Sequence, residues 1–230
     1  SFEKAGIPKS MLPDDVYKAF NKDTSTIMMV IFDDTSSGDG TMEAITKLRT
    51  IAKDQCYISG ISAIVTDTKT LVEQEMFIYV CIAALVSILV LSLLMDSFLI
   101  PIFFMLSIGM AIVYNLGSNF VVGEISYITK ALAAVLQLGV TMDYSIFLWH
   151  SYEEQLEKYP EDNNKAMAEA ITATISSVVS SSITTVAGFV ALCFMSFTLG
   201  LDLGIVMAKG VVLGVISCVT ILPSFILLFD

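Results

Sequence analysis

Five long stretches of the chain are almost wholly apolar, and short polar segments separate them. A helix that crosses a bilayer needs about 20 such residues. Met76–Met95, Phe98–Leu116, Ile125–Trp149, Ala170–Phe197 and Leu203–Phe229 each reach that length, so the pattern predicts five transmembrane helices. Pro101 falls in the first turn of the second span, where a missing N–H costs little. The connectors at 96–97, 117–124 and 198–202 are short. The one at 150–169, "HSYEEQLEKYPEDNNKAMAE", is longer. Its opening reads as helix continuing out of the membrane, and "YPEDNN" reads as a break.

The first 75 residues follow a different rhythm. "TIMMVIFD", Thr26–Asp33, is rich in β-formers and predicts a strand. "TMEAITKLRTIAKDQ", Thr41–Gln55, carries Met42, Ile45, Leu48, Ile51 and Ala52 at helical spacing. "CYISGISAIV" predicts a second strand with an irregularity at Gly60. Thr66 or Asp67 then caps a helix that runs into the first span. The expected fold is an α-helical polytopic membrane protein with a small α/β (β-α-β) extracytoplasmic region. Two parallel strands need further strands for cover, which this region does not supply. There is no initiator Met, and the chain is expected to be a piece of a longer protein.

Composition supports this division. The chain has 230 residues, 55% hydrophobic and 15% charged, with a mean hydropathy of +0.78. Soluble domains hold nearer 25% charged residues. More than half of the charges precede residue 76. The net charge of −11 argues against a nucleic-acid partner, which would require a basic face. Cys56, Cys81, Cys193 and Cys218 lie in separate segments and read as small apolar side chains, neither a disulfide framework nor a metal site. No phosphate-binding glycine loop, metal-ligand spacing or nucleophile–histidine–carboxylate set is present, so neither an enzyme nor a cofactor is expected. Five spans place the two ends of the chain on opposite sides of the membrane. With the polar region outside, the 150–169 connector is cytoplasmic, and Lys158 and Lys165 there agree with the positive-inside rule.

Against this apolar background, Asp143 in "LGVTMDYSIFLWH" needs explaining. A charged side chain at mid-bilayer costs about 2.5–3.5 kcal/mol on insertion scales. A low-dielectric medium favours the neutral carboxyl, and a group that gains and loses a proton is what a proton carrier requires. The alternative is a protonated Asp acting as interhelical hydrogen-bond glue. Tyr144 projects about 100° round the helix from Asp143 and is expected to meet a different neighbour. Gly139, one turn before Asp143, leaves room for close helix approach. His150 lies about 10 Å further along the axis. It is placed either to pass protons to the inner surface or to sit beside Trp149 in an aromatic belt.

The fourth span opens on "ITATISSVVSSSITTVAG", and nine of the fourteen residues Thr172–Thr185 carry hydroxyls. Ser177, Ser181 and Gly188 lie along one side. They serve either tight packing or the solvation of Asp143. Asp202 and Lys209 are seven apart on one face of the fifth span, and Glu124 and Lys130 lie at the corresponding outer level. Charge pairing among these four is the expected structural role.

"DYSIFLWHSYEE" (Asp143–Glu154), "SSSITTVAGFVAL" (Ser180–Leu192) and "DLGIVMAKGVVLGVISCVTILPSFILLF" (Asp202–Phe229) follow one another in a recognisable order. The chain resembles the MMPL family (mycobacterial membrane protein large) of the resistance–nodulation–division superfamily. The first motif is similar to that family's fourth-helix Asp-Tyr motif, the second to its fifth-helix Ser-x-Leu-Thr motif, and the third to its sixth helix with a Leu-Pro exit. The resemblance implies the end of a porter domain followed by helices two to six of one half of a twelve-helix transporter. A second, similar half would be the partner in the bilayer. It implies export of lipids, amphipathic molecules or drugs driven by the proton gradient, with no cofactor. It makes Asp143 and Tyr144 the proton-relay pair, with Ser181, Ser177 and His150 as candidate partners, in a plasma membrane of the Gram-positive type. The family's arginines in the helix-four exit are Ser151 and Glu153 here. Lys130 and Lys209 have no family counterpart. A sterol-sensing-like or signalling domain, or a protein-translocation accessory, on the same scaffold is the alternative.

Overall fold

The computed structural model describes residues 15, 18, 20–22, 25–53, 56–95, 97–121, 123 and 125–229. It divides into two compact units, Ser1–Asp67 and Thr68–Asp230.

The first unit is less β-rich than the sequence suggests. Two short strands, β1 (Asn21–Lys22) and β2 (Ser25–Thr26), form an antiparallel hairpin with Asn21 opposite Thr26. Beyond Thr26 the expected strand does not form. Ile27–Ile31 joins no sheet among the described residues, and its side chains are exposed. A strand is stable only against a neighbouring edge, and the described residues offer none. Helix α1 (Asp39–Ala52) stands where a helix was expected and buries Thr41 and Ile45. Its Glu43 and Lys47 pair one turn apart at 2.6 Å, and Lys47 holds the Glu43 carboxyl below the ordinary carboxylate range.

The second predicted strand is also absent. Gly60 takes φ of 121°, and α2 (Ile61–Leu94) starts immediately after it. Ile61–Val65 are β-formers by type. Here they join a 34-residue helix, where each added residue gains a hydrogen bond on a turn already nucleated. Neither Thr66 nor Asp67 is the cap. Thr66 bonds back to the Ser62 carbonyl at 2.8 Å, and Asp67 accepts a two-pronged pair from Arg49. Within the described residues, the two expected strands are therefore corrected to an unpaired segment at Ile27–Ile31 and to the start of α2 at Ile61–Val65.

The second unit contains the remaining helices: α3 (Leu99–Gly117), α4 (Tyr127–Lys158), α5 (Asn163–Leu192) and α6 (Thr198–Phe229). A 3₁₀ turn, Ser118–Val121, follows α3. All five helices from α2 to α6 are long and apolar enough to cross a membrane, which makes this an α-helical polytopic membrane protein. The polar breaks set the ends. Ser126 caps α4 by accepting from the Ile128 N–H at 3.3 Å, and Asp162 caps α5 by accepting from Lys165 at 2.9 Å. Asp162 starts α5 seven residues earlier than the apolar run alone suggests. The turn between α5 and α6 is correspondingly Cys193–Phe197.

The core lies between α3, α4 and α6. In their most apolar windows 44%, 44% and 39% of residues are buried, against 6% for α2 and 11% for α5. Phe104, Leu148, Tyr152, Val211 and Leu222 are fully enclosed there, and Met167 of α5 packs against them. On α4, Leu132, Val135, Leu136, Gly139, Asp143 and Phe147 are left uncovered by this chain.

Candidate functional site

A cavity of about 480 Å³ opens between α4 and α5. From α4 it is lined by Val140, Asp143, Tyr144 and Phe147, which recur at the i, i+3, i+4, i+7 spacing of one helical face. From α5 it is lined by Ser177, Val178, Ser181 and Thr185. The structure thus brings Asp143, Tyr144, Ser177 and Ser181 together. Tyr144 and Asp143 both border the cavity, although they point to different surroundings, as the 100° offset between them leads one to expect. The Tyr144 ring is 5% exposed and packs inward, while Asp143 stands at the open side, and the cavity spans the arc between them.

The hydrogen bonding of the hydroxyl run sorts its members. Thr172, Thr174, Ser182, Thr184 and Thr185 bond back to carbonyls of their own helix over 2.8–3.2 Å. Among the described residues, the Ser177 and Ser181 hydroxyls, the Asp143 carboxyl and the Tyr144 hydroxyl have no partner within the chain. Four uncommitted polar groups therefore share one open cavity between two apolar helices. A carboxyl, a phenol and two hydroxyls can accept and donate protons in relay through water.

The other candidates fall elsewhere. His150 does not line the cavity. It is exposed and pairs with Glu153 one turn on, at 3.2 Å. A Cβ added at Gly139 or Gly188 would meet nothing within 4 Å, so neither glycine is a close-packing point within this chain. Among the described residues, Lys130, Asp202 and Lys209 form no ion pair with one another. Lys209 donates to the Asn119 side-chain oxygen at 2.5 Å, and Asp202 accepts from the Ser126 N–H at 3.3 Å. Seven residues along a helix is about 10 Å, so Asp202 and Lys209 share a face without touching. Lys130 is exposed, and Glu124 lies outside the described residues. No cluster of three metal-ligating side chains occurs among the described residues.

One feature of the bundle is a buried polar seam joining α3, α4 and α6. Asn115, completely enclosed, donates to the Gln137 side-chain oxygen at 2.8 Å and to the Val206 carbonyl at 3.2 Å. Gln137 donates in turn to the Gly210 carbonyl at 3.1 Å. Deeper along α3, the Ser107 and Ser217 hydroxyls meet at 2.9 Å. Glycine permits this proximity. A Cβ at Gly210 would lie 2.6 Å from the Asn115 Nδ2, and one at Gly214 would lie 2.2 Å from the Thr141 methyl. Hydropathy conceals these residues. Two amides inside apolar spans were nonetheless a readable signal, since each demands a partner.

Five helices long and apolar enough to cross a membrane define a polytopic membrane protein. The chain belongs to the MMPL family, whose model matches residues 16–229. Membrane protein ActII-3 of Streptomyces coelicolor is 33% identical over 124 residues, 54% of this chain and 17% of that protein. Membrane protein SCO0839 of the same organism is 32% identical over 152 residues, 63% of this chain and 21% of that protein. Membrane protein MJ1562 of Methanocaldococcus jannaschii is 36% identical over 94 residues, 40% of this chain and 24% of that protein. The matched stretches thus span about a fifth of these relatives' lengths. No solved structure matches the chain at a significant level.

Proposed function

We propose that this chain is the proton-handling part of a membrane exporter driven by the proton gradient, with Asp143 as the group that changes protonation. The observation that carries the reading is the set of four uncommitted groups on one cavity: Asp143, Tyr144, Ser177 and Ser181. An Asp serving as interhelical glue would be expected to hold a partner on a neighbouring helix. Here the carboxyl faces the cavity instead. Proton uptake from one side and release to the other would alternately neutralise and charge it, and each change alters what α4 and α5 can tolerate between them.

The uncovered face of α4 and the sparsely buried α5 support a second, homologous half as the partner that closes the cavity. The substrate class we assign is amphipathic, a lipid or drug-like molecule, and the polar first unit would lie outside the cytoplasm in a plasma membrane.

The test is made on the full-length protein in liposomes, with Asp143→Asn as the variant and a fluorescent lipid as the probe. The reading predicts pH-gradient-driven lipid movement in the parent and none in the variant. Equal, gradient-dependent movement in both would refute the relay. Lipid movement in neither, with the parent correctly folded, would favour a signalling or protein-translocation role on the same scaffold.

A further inference from the structure

The polar seam ends in two atoms whose chemistry is forced. The Gly210 carbonyl can only accept, so Gln137 must turn its Nε2 toward it, at 3.1 Å. That aims the Gln137 oxygen at Asn115, which must answer with its Nδ2, at 2.8 Å. The same Nδ2 spends its second proton on the Val206 carbonyl at 3.2 Å. The Asn115 Oδ1 is left over, an acceptor with no partner in the chain. The same logic runs from the other end. A lysine ammonium can only donate, so Lys209 fixes the Asn119 oxygen toward itself at 2.5 Å. The Asn119 Nδ2 is left over, a donor with no partner in the chain.

These two atoms belong to side chains four residues apart along α3 and its 3₁₀ extension, and both side chains bond to the same stretch of α6, Asn115 at Val206 and Asn119 at Lys209. Asn115 is fully buried and Asn119 is 5% exposed. The Thr129 hydroxyl on α4 is also enclosed without a partner.

We infer that the seam between α3, α4 and α6 is a buried water site, separate from the Asp143 cavity, with water joining the Asn115 Oδ1 to the Asn119 Nδ2. Water suits this pair because it donates to the acceptor and accepts from the donor at once. A metal cation is excluded by the Lys209 ammonium on the same Asn119 side chain. A bare anion would answer Asn119 but would repel the Asn115 oxygen. Lys209, half-buried, stands at the Asn119 end of the site. The protein would therefore hold two polar compartments: an open one bearing the carboxyl, and an enclosed one that keeps α3, α4 and α6 together by bridged amides.

Water-edited solid-state NMR on the full-length protein in lipid bilayers, with ¹⁵N-labelled asparagine, tests this directly. Asn164, exposed at the start of α5, serves as the wet reference. Asn115→Gln and Asn119→Gln each delete one set of side-chain signals and so assign them. Should a variant fail to fold, uniform ¹³C,¹⁵N labelling assigns each side-chain amide by correlation through its own Cγ, Cβ and Cα to the backbone and on to Tyr114 or Ser118. The expected result is magnetisation passing from water to both side-chain amides on the timescale of Asn164. Transfer arriving only by slow diffusion through the protein would show the seam to be dry and would overturn the inference.

Discussion

Asn115 and Gln137, from helices α3 and α4, are joined by an amide–amide hydrogen bond of 2.8 Å at a point where neither side chain has any exposed surface. Gln137 also holds the Gly210 carbonyl of α6, so one side chain ties three helices. Gln137→Leu would take from the buried Asn115 amide one of its two acceptors and leave only the Val206 carbonyl, at a cost of about 1–3 kcal/mol. The Asn115→Leu, Gln137→Leu double variant removes both amides and is expected to lose less than the sum of the singles. Thermal unfolding in detergent, run on all three variants, measures the difference.

Gly214 gives a second, steric prediction. An added Cβ would lie 2.2 Å from the Thr141 methyl, so Gly214→Ala is expected to destabilise by about 1–3 kcal/mol through overpacking. Thr141→Ser deletes that methyl and should recover most of the loss. Gly109→Ala, where a Cβ meets nothing within 4 Å, is the control and should be silent in the same assay.

The hydroxyl run supplies a third. Ser181 lines the cavity, whereas Ser182, its sequence neighbour, is 7% exposed and bonds back to the Val179 carbonyl at 2.8 Å. Ser181→Val is expected to lower proton-coupled transport by about 10²-fold or more, in the range of a lost proton-transfer group, with folding intact. Ser182→Val should act on stability first. Comparing transport rates with melting temperatures for both variants separates the two effects.

His150 is expected to be dispensable. It is exposed and engages Glu153 on its own helix, away from the cavity. His150→Ala should leave transport and its pH profile as in the parent and change stability by no more than about 0.5 kcal/mol. A shifted pH profile would return it to the proton route.

The spans were legible because a 20-residue apolar requirement is coarse and averages over many residues. Their ends were less so. The Asp162 cap pulled the α5 start back to Asn163, and apolar content alone carries no such signal. The two strands failed for a different reason. Ile27–Ile31 and Ile61–Val65 have β-forming side chains, but pairing is a property of two edges, and the local sequence holds only one of them. At the site, Asp143, Tyr144 and the serines could be read because polar side chains in apolar helices are costly enough to stand out. The joint exposure of Asp143 and Tyr144 to one cavity could not be read, since an angular offset says nothing about how wide an opening is. The seam was missed for a similar reason. Asn115, Gln137, Gly210 and Gly214 are scattered over three helices, and only packing brings them into one line.

The central claim is that the Asp143 carboxyl exchanges a proton during the working cycle. Difference infrared spectroscopy on the full-length protein in lipid, recorded as a pH gradient is imposed, reads that event directly. A carboxylic-acid carbonyl band is expected to appear and disappear with the gradient and to be missing in Asp143→Asn. A gradient response whose carboxyl bands are identical in the parent and in Asp143→Asn would contradict that claim.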